Sequence, residues 1–253
     1  MDIKIPYTPR KHQAYLHRQI DNHRWNVLVC HRRFGKTVCM INHLIRSALL
    51  SKNNNPRYAY IAPTFKQAKS IAWDYMKQFT AKIPYTKFNE TELRVDLPNG
   101  SRITLLGSES PDGLRGIYLD GCVIDEYANV NSKLFPEIIR PALSDRKGYC
   151  VFIGTPSGMQ NNFYELYQHA QGAEDWFHYK AKASDTKIVD QDELDKAKEV
   201  MGEKKYQQEF ECDWIANIEG AVYGDVIAKL DDDRQLTRVP YDPALPVSTA
   251  WDL

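Results

Sequence analysis

A short stretch near the N-terminus combines a glycine, a lysine and a hydroxyl side chain in a spacing suited to binding phosphate. The stretch reads Cys30-His31-Arg32-Arg33-Phe34-Gly35-Lys36-Thr37. Gly35 lets the backbone approach a phosphate closely, Lys36 supplies a positive charge, and Thr37 can offer its hydroxyl to Mg²⁺. Such loops usually begin with glycine, and Cys30 holds that position here. The loop therefore predicts nucleotide binding, with a chance match as the alternative.

Two adjacent acids follow a short apolar run downstream of this loop. Asp125 and Glu126 come directly after Gly121-Cys122-Val123-Ile124. In a nucleotide hydrolase, Asp125 would hold Mg²⁺ directly or through water, and Glu126 would orient and activate the attacking water. The alternative is a polar strand end with two exposed acids. The phosphate-binding pattern upstream favours the catalytic interpretation.

Two further polar residues have chemistry that a nucleotide site could use. Gln13 precedes the loop, and its amide can donate to and accept from the edge of adenine at once. Thr155 follows an apolar run and is flanked by Gly154 and Pro156. If its strand neighbours the strand of Asp125, the hydroxyl could report the γ-phosphate. For Gln13 the alternative is an ordinary residue at the start of a helix.

The elements that must position these residues alternate between strand and helix. Residues 25–29 and 58–62 are short apolar runs, and each is followed by apolar residues at helical spacing. This alternation predicts a parallel sheet with helices on both faces. Asn99-Gly100, between alternating runs, predicts an antiparallel hairpin added to that core.

The last third of the chain is predominantly helical in pattern. Residues 162–170, 191–202 and 204–212 are predicted helices and could form a helical lid. Tyr206, Phe210 and Trp214 recur every four residues, which predicts one buried face. Residues 218–246 have the composition of a linker.

Composition and charge narrow the class of protein. The 253 residues are 43% hydrophobic and 26% charged, as in a globular protein, with no apolar run approaching the roughly 18 residues of a membrane span. We expect no membrane segment, no signal peptide and a cytoplasmic location. The five cysteines form no C-x-x-C pair, so we expect neither disulfides nor zinc.

The charge is unevenly distributed along the chain. Residues 1–100 hold 17 Lys and Arg against 6 Asp and Glu, whereas the remainder holds 16 against 27. A phosphate-rich ligand explains part of the basic surplus, and DNA contacts could explain the rest. A solvated basic face is the alternative for any single lysine.

Taken in order, these pieces resemble the large subunit of the terminase of tailed bacteriophages, a motor that packages viral DNA into a preformed capsid. The resemblance depends on four motifs together: the loop ending Gly35-Lys36-Thr37, Ala62-Pro63-Thr64, Leu114-Arg115-Gly116 ahead of the paired acids, and Gly154-Thr155-Pro156. It implies an α/β P-loop NTPase of the ASCE type, with a mostly parallel sheet flanked by helices, an added hairpin and a small lid. The implied domains are 1–182 for the ATPase core, 183–232 for the lid, and 233–253 for a linker and the first strand of a truncated RNase H-like nuclease domain.

The resemblance also implies roles for individual residues. Lys36 and Thr37 would bind phosphate and Mg²⁺, Asp125 would complete the metal site, and Glu126 would be the catalytic carboxylate. Thr155 would lie in a coupling motif. Arg32 would be the catalytic arginine of the loop, with Arg33 as a second candidate. The remaining nucleotide contacts would come from the adenine-reading glutamine and three loop residues: Gln13, Arg33, Phe34 and Gly35.

Two further roles concern residues away from the loop. Arg115 resembles an arginine that some members insert into a neighbouring subunit's site, which implies a ring. The alternative is an arginine held by a salt bridge. Asp252 resembles the first metal-binding acid of the family's nuclease domain. Two-metal cleavage needs several carboxylates, so we expect that this chain cannot cut DNA although the full-length protein should.

The function expected from the resemblance is ATP hydrolysis with Mg²⁺, driving double-stranded DNA into a procapsid. The implied partners are the portal protein, the small terminase subunit and further copies in a ring, at the portal vertex in the host cytoplasm; the isolated domain could remain monomeric. One alternative is a superfamily 2 helicase-like translocase, which shares the glutamine element and the Ala-Pro-Thr turn. The other is a scaffold that binds nucleotide without hydrolysing it, with Cys30 as the sign of decay.

Overall fold

The computed structural model describes residues 5–109 and 114–215, together with Leu230. The chain divides into two compact units, Met1–Asn217 and Ile218–Leu253. The predicted linker and Asp252 lie outside the described residues. The boundary between core and lid, predicted at residue 182, stays a prediction.

The core of the first unit is a mostly parallel sheet of eight strands in the order β3-β4-β5-β2-β6-β7-β1-β8. Strands β5, β2, β6, β7, β1 and β8 pair in parallel, while β3, β4 and β5 pair antiparallel. The strands are β1 Trp25–Cys30, β2 Arg57–Ala62, β3 Lys87–Asn89, β4 Arg94–Asp96, β5 Arg102–Gly107, β6 Gly121–Asp125, β7 Tyr149–Gly154 and β8 Trp176–Ala181.

Nine α-helices can be assigned within the described residues, and two π-helical segments interrupt them. The α-helices are α1 Lys11–Asn22, α2 Lys36–Leu50, α3 Phe65–Ala68, α4 Asp74–Thr80, α5 Arg140–Ala142, α6 Asn162–Gly172, α7 Ala183–Thr186, α8 Gln191–Met201 and α9 Glu203–Glu209. The π-helical segments are Lys69–Trp73 and Leu134–Ile139.

Strands β1, β6 and β7 are buried along their whole described length except for Tyr149, because helices cover both faces of the sheet. One hydrophobic cluster joins the sheet to α1, α2 and α4, and a second joins it to α6 and the segment around residues 134–143. Burial on both faces explains why these strands read as continuous apolar runs. The prediction of a parallel sheet between two helical layers is confirmed.

The predicted hairpin is confirmed, and it carries one more strand than expected. Residues Arg94–Asp96 pair antiparallel with β5 across the turn at Asn99-Gly100. Gly100 has φ +83°, a left-handed conformation that glycine adopts without steric cost. The short strand β3 then adds to the outer edge of β4.

Strand β8 lies in a region where the sequence analysis predicted helices alone. It pairs in parallel with β1 in a register that places Ala181 opposite Cys30. The carbonyl of Ala181 accepts from the backbone N–H of His31 at 3.0 Å. This edge strand therefore continues the sheet to the beginning of the phosphate-binding loop.

The predicted aromatic face at residues 206–214 divides between two clusters. Tyr206 and Phe210 pack with Leu194 of α8 in a small third cluster, whereas Trp214 packs against Phe163 of α6. Helix α9 ends at Glu209, and Cys212 has φ +54°, so the chain turns before Trp214. All three aromatic residues are buried as predicted, but they do not share one face.

Candidate functional site

The candidate residues converge on one edge of the sheet because β6, β7 and β1 are adjacent and parallel. These strands end at Asp125, Gly154 and Cys30. In parallel sheets, ligands bind at the carboxyl ends of the strands. The role considered for Thr155 required its strand to neighbour the strand of Asp125, and the pairing of β6 with β7 meets this condition.

The loop between β1 and α2 contains two residues in left-handed conformation. Gly35, directly before α2, has φ +87°, and Arg33 has φ +68°. A Cβ on Gly35 would also lie 3.0 Å from Nε2 of Gln13. Both the backbone angle and this close approach favour glycine at position 35. The loop thus delivers the backbone of Gly35 to the N-terminus of α2, a preferred place for phosphate.

The structure explains why Cys30 can replace the usual glycine. Cys30 is the last residue of β1, where it pairs with Ala181 of β8. Its side chain is fully buried in the core. Its φ is not positive, so this position makes no conformational demand for glycine. Burial raises the pKa of the thiol well above its usual value, so the side chain behaves as a small apolar group.

Lys36 is held across the strand ends by a hydrogen-bonded triangle. Its Nζ donates to the Thr155 hydroxyl at 2.7 Å and to the Cys30 carbonyl at 3.3 Å. The Thr155 hydroxyl donates to the same carbonyl at 3.2 Å. Thr155 therefore positions the lysine, and a group that binds Lys36 would be sensed directly at the end of β7.

His31 anchors the first half of the loop. The imidazole is fully buried, contacts the Arg32 carbonyl through Nδ1 at 2.6 Å and the Thr186 hydroxyl through Nε2 at 2.8 Å. Burial lowers the pKa of His31, which favours the neutral ring. The ring packs edge-on against the buried Phe34. The buried side chains of His31 and Phe34 therefore hold the loop in place, while Arg32 and Arg33 remain exposed.

Asp125 is a buried carboxylate at the end of β6. It accepts hydrogen bonds from the phenol of Tyr60 and, at 2.9 Å, from the backbone N–H of Glu126. Burial raises the pKa of Asp125, while the Tyr60 hydrogen bond and the charge of Lys36 oppose that rise. Thr37 lies beside the same phenol, which brings its hydroxyl and the Asp125 carboxylate to one place.

Thr37 and Asp125 are suited to bind Mg²⁺. Hydroxyl and carboxylate oxygens are the ligands that this ion prefers, usually together with water and substrate phosphates. Within residues 5–109 and 114–215, Asp125 forms no ion pair with a basic side chain, although it is almost fully buried. A divalent cation would supply the positive charge that balances this buried carboxylate.

Glu126 has a raised pKa and a left-handed backbone. Burial raises the pKa of its carboxyl, and the negative charges of Asp125 and Glu209 raise it further, while Lys36 and Arg32 lower it. Its φ is +48°, uncommon for a residue with a side chain. Residues in such conformations concentrate at functional sites. A carboxylate with a raised pKa is suited to accept a proton near neutral pH.

Two cavities meet at Lys36. The first, of about 440 Å³, is lined by Arg32, Lys36, Glu126, Asn129, Thr155, Pro156, Ser157, Lys205, Gln208 and Glu209. The second, of about 400 Å³, is lined by Arg33, Phe34, Gly35, Lys36, Thr37, Val38, Ser70, Ile71 and Tyr75. The candidate catalytic acid and Thr155 thus line the first cavity, whereas Gly35 and Thr37 on either side of Lys36 in the chain line the second.

Gln13 reaches the loop, but its amide is already engaged. Its Nε2 donates to the Gly35 carbonyl at 3.2 Å and its Oε1 accepts from the Arg10 backbone N–H at 2.9 Å. In this arrangement Gln13 ties α1 to the phosphate-binding loop. Its predicted contact with adenine would need these hydrogen bonds to be exchanged, and that role stays a prediction.

Arg115 does not line either cavity. It is exposed and forms an ion pair of 3.7 Å with Glu137. The structure therefore leaves its predicted role in a neighbouring subunit's site as a prediction. Asp252, predicted as a nuclease metal ligand, lies outside the described residues.

Several residues of the site were not predicted from the sequence. Tyr60 bonds to Asp125, His31 anchors the loop, and the α9 residues Lys205, Gln208 and Glu209 line the first cavity. Tyr60 lies on a strand that the sequence predicted, but its place beside Asp125 depends on the pairing of β2 with β6. The α9 residues carried no local signal, since they reach the site only through tertiary packing.

Within the described residues, no helix is both long and apolar enough to cross a membrane. Two curated relatives are similar to part of the chain: the large terminase subunits of Thermus phage G20c and Thermus virus P23-45 are each 30% identical over 126 residues, covering 42% of this chain and 26% of theirs. The aligned part of the chain thus spans about a quarter of the length of these relatives.

Solved structures share the fold. The ATPase domain of the large terminase of Thermus phage P74-26 superposes with a TM-score of 0.70 at 22% identity, covering 83% of this chain and 95% of that domain. The large terminase of another thermophilic bacteriophage, in complex with ADP, has a TM-score of 0.70 at 17% identity and covers 81% of this chain and 53% of that protein.

The family model described as "Terminase large subunit, T4likevirus-type, N-terminal" matches residues 29–226. This range contains the phosphate-binding loop, both acids and Thr155, and it distinguishes the chain from the helicase-like alternative. The chain therefore belongs to the family of terminase large subunits, of which it represents the N-terminal region.

Proposed function

We propose that this chain is the ATP-hydrolysing domain of a motor that moves double-stranded DNA into a procapsid. The observation that supports this most directly is that Lys36 and Glu126 line one cavity together with Thr155, whose hydroxyl accepts a hydrogen bond from the lysine. A phosphate-binding cation and a carboxylate with a raised pKa are the groups that hydrolysis of a phosphoanhydride requires. An intact pair of this kind argues against a scaffold that binds nucleotide without hydrolysing it.

Each side chain of the site would have a separate task. The backbone of Gly35 and the charge of Lys36 would bind the phosphates at the N-terminus of α2. Glu126 would accept a proton from the water whose oxygen bonds to the γ-phosphorus. The bond between that phosphorus and the β–γ bridging oxygen would break, which releases ADP and inorganic phosphate. Thr155 would register the loss of the γ-phosphate through its hydrogen bond to Lys36, because both are held on the Cys30 carbonyl.

Mg²⁺ would be held by Thr37 and Asp125, and it would neutralise charge on the phosphate oxygens. Solved structures of the large terminase of the same thermophilic bacteriophage contain ADP and ATP-gamma-S, which supports the same class of ligand here. Arg32 and Arg33 would add positive charge at the exposed surface of the loop.

The motor function would require partners that the family implies. We propose that this protein acts at the portal vertex in the host cytoplasm, with double-stranded DNA, the portal protein and the small terminase subunit. Assembly into a ring would place Arg115 in the nucleotide site of the adjacent subunit. As a second activity we propose an endonuclease in the full-length protein, with Asp252 as its first metal-binding acid.

Steady-state hydrolysis of ATP, with and without double-stranded DNA, tests the proposal. We expect Lys36→Ala to lose both binding and hydrolysis, because no other described residue replaces its charge within the triangle with Thr155 and Cys30. Glu126→Gln should retain nucleotide binding and lose roughly 10²- to 10⁴-fold in turnover. Turnover that persists in both variants would contradict the assignment of this site.

A further inference from the structure

Helix α9 forms the wall of the first cavity that faces the loop and the end of β7. Lys205, Gln208 and Glu209 of this helix line the cavity together with Lys36 and Glu126. Lys205 and Glu209 are four residues apart, so their side chains lie on the same face of the helix. None of the roles assigned above uses these side chains.

The carboxylate of Glu209 lies between two cations from different parts of the fold. It is 3.3 Å from Nζ of Lys205 on its own helix and 3.8 Å from the guanidinium of Arg32 in the loop. The Glu209 side chain is 17% exposed, whereas those of Arg32 and Lys205 are 62% and 40% exposed. A carboxylate bridging a lysine and an arginine takes the place that a phosphate oxygen takes in many phosphate sites.

The backbone of α9 is fixed where these side chains meet. The Arg32 backbone N–H donates to the Glu209 carbonyl at 2.8 Å, and Nε2 of the buried Gln208 donates to the Pro156 carbonyl at 2.5 Å. The end of α9 is therefore bonded to both the loop and the segment after β7. A change of side-chain partners can occur here without moving the helix.

The position of the cavity determines which phosphate it would receive. Glu126 lines this cavity and not the one beside the start of α2. Since the water-activating group must lie next to the phosphorus that is attacked, this is the side of the terminal phosphate. Glu209 places a negative charge close to that position and also near Glu126.

We propose that Lys205 is a ligand of the terminal phosphate of a bound nucleoside triphosphate. Until that nucleotide binds, the Glu209 carboxylate occupies the place of the phosphate. The inference rests on the proposed nucleotide function and extends it to α9. On binding, the terminal phosphate replaces the Glu209 carboxylate as the partner of Lys205 and Arg32. A diphosphate lacks the group that makes this exchange, so the pair selects for the triphosphate.

Fluorescence titration of the 253-residue chain with N-methylanthraniloyl-labelled ATPγS and ADP, each with Mg²⁺, tests the proposal. Lys205→Ala should weaken binding of the triphosphate analogue about tenfold, since it removes one charge-assisted hydrogen bond, and should leave the ADP analogue within about twofold. Glu209→Gln should tighten binding of the triphosphate, because it frees both cations. Lys196→Ala is the matched control, since this exposed lysine pairs with Glu193 on α8.

The opposite signs expected for the two variants separate this effect from damage to the fold. An unchanged ratio of triphosphate to diphosphate affinity in Lys205→Ala, or weaker triphosphate binding in Glu209→Gln, would overturn the proposal while leaving the nucleotide site in place. A wild-type chain that binds neither analogue would overturn the proposed function as well.

Discussion

At the scale of single residues, the two acids of the site differ in how far they are buried. Asp125 and Glu126 are adjacent, yet Asp125 is almost fully buried and bonded to Tyr60, whereas Glu126 opens into a cavity. Burial raises the pKa of both groups, and Lys36 lowers both. The two acids thus share a charge environment but differ in access, which suits one to a buried metal and the other to water.

The raised pKa of Glu126 predicts an acid limb in the pH profile of hydrolysis. A base is active when deprotonated, so turnover should fall with decreasing pH at a higher midpoint than an ordinary glutamate would give. Glu209→Gln removes one of the negative charges that raise this pKa. We expect it to move the midpoint of kcat/KM, which reports the free enzyme, to lower pH. A midpoint that is unchanged, or higher, in this variant would contradict the assignment of Glu126 as the base.

Tyr60 predicts how the metal dependence can be altered. Tyr60→Phe removes a hydrogen bond that stabilises the charged form of Asp125. We expect the Mg²⁺ concentration for half-maximal activity to rise roughly tenfold, the effect of one hydrogen bond to a charged group. Tyr58→Phe is the control on the same strand, since its phenol donates to the Ser47 carbonyl away from the site. An equal response of both variants would exclude a specific role for Tyr60.

At the scale of elements, polar contacts hold α1 against the phosphate-binding loop and against α2. Gln13 bonds to the Gly35 carbonyl, and further along α1 His17 stacks on His43 of α2, with Nδ1 atoms 3.0 Å apart. The hydroxyl of Tyr7 contacts the other nitrogen of His17 at 3.0 Å. The histidine pair therefore helps to hold α1, and with it Gln13, against α2.

The pair formed by the half-buried His17 and the buried His43 predicts acid sensitivity of the fold. Burial, with a smaller contribution from Arg46, lowers the pKa of His17 from 6.5 to about 4, although Asp21 opposes this. Burial also lowers the pKa of His43 well below its usual value. Between pH 6.5 and about pH 4, the unfolded chain binds protons at these histidines that the folded chain does not. The free energy of unfolding therefore falls as pH decreases below about 6.5.

Urea unfolding at several pH values between neutral and pH 4 measures this dependence. His17→Gln should flatten it, because the variant removes one of the protons taken up on unfolding. His178→Gln, at an exposed position, provides the control. A slope that is equally steep in both variants would show that other groups cause the acid sensitivity.

At the scale of the whole molecule, the site has contributions from the sheet, from the loop and from α9, while Arg115 lines neither cavity. The ion pair of Arg115 with Glu137 is between half-exposed side chains, so we expect it to add little to stability.

If Arg115 acts in a neighbouring site, hydrolysis per subunit should rise with protein concentration. Arg115→Ala should then abolish that rise, with a loss of about 10³-fold or more where assembly is complete, and should leave nucleotide affinity unchanged. Glu137→Gln is the control, because it breaks the same ion pair and keeps the arginine. Activity that is independent of both concentration and Arg115 would remove the arginine from the catalytic site.

The sequence by itself determined the parts of this protein that depend on short-range pattern and chain direction. The loop, the buried strands ending in Asp125 and Gly154, and the hairpin at Asn99-Gly100 all follow from local residue types. Because parallel strands present their carboxyl ends at one edge, the meeting of Lys36 with Thr155 could also be predicted.

Only the tertiary structure decided which side chains face these residues from elsewhere in the chain. Strand β8, the Tyr60 hydrogen bond to Asp125 and the placement of Glu209 between Arg32 and Lys205 depend on register and packing. Residues 205 and 209 are far from the loop in sequence, and their pattern on α9 is that of an ordinary charged helix. Their place beside the phosphate-binding loop arises because α9 is bonded through its backbone to Arg32.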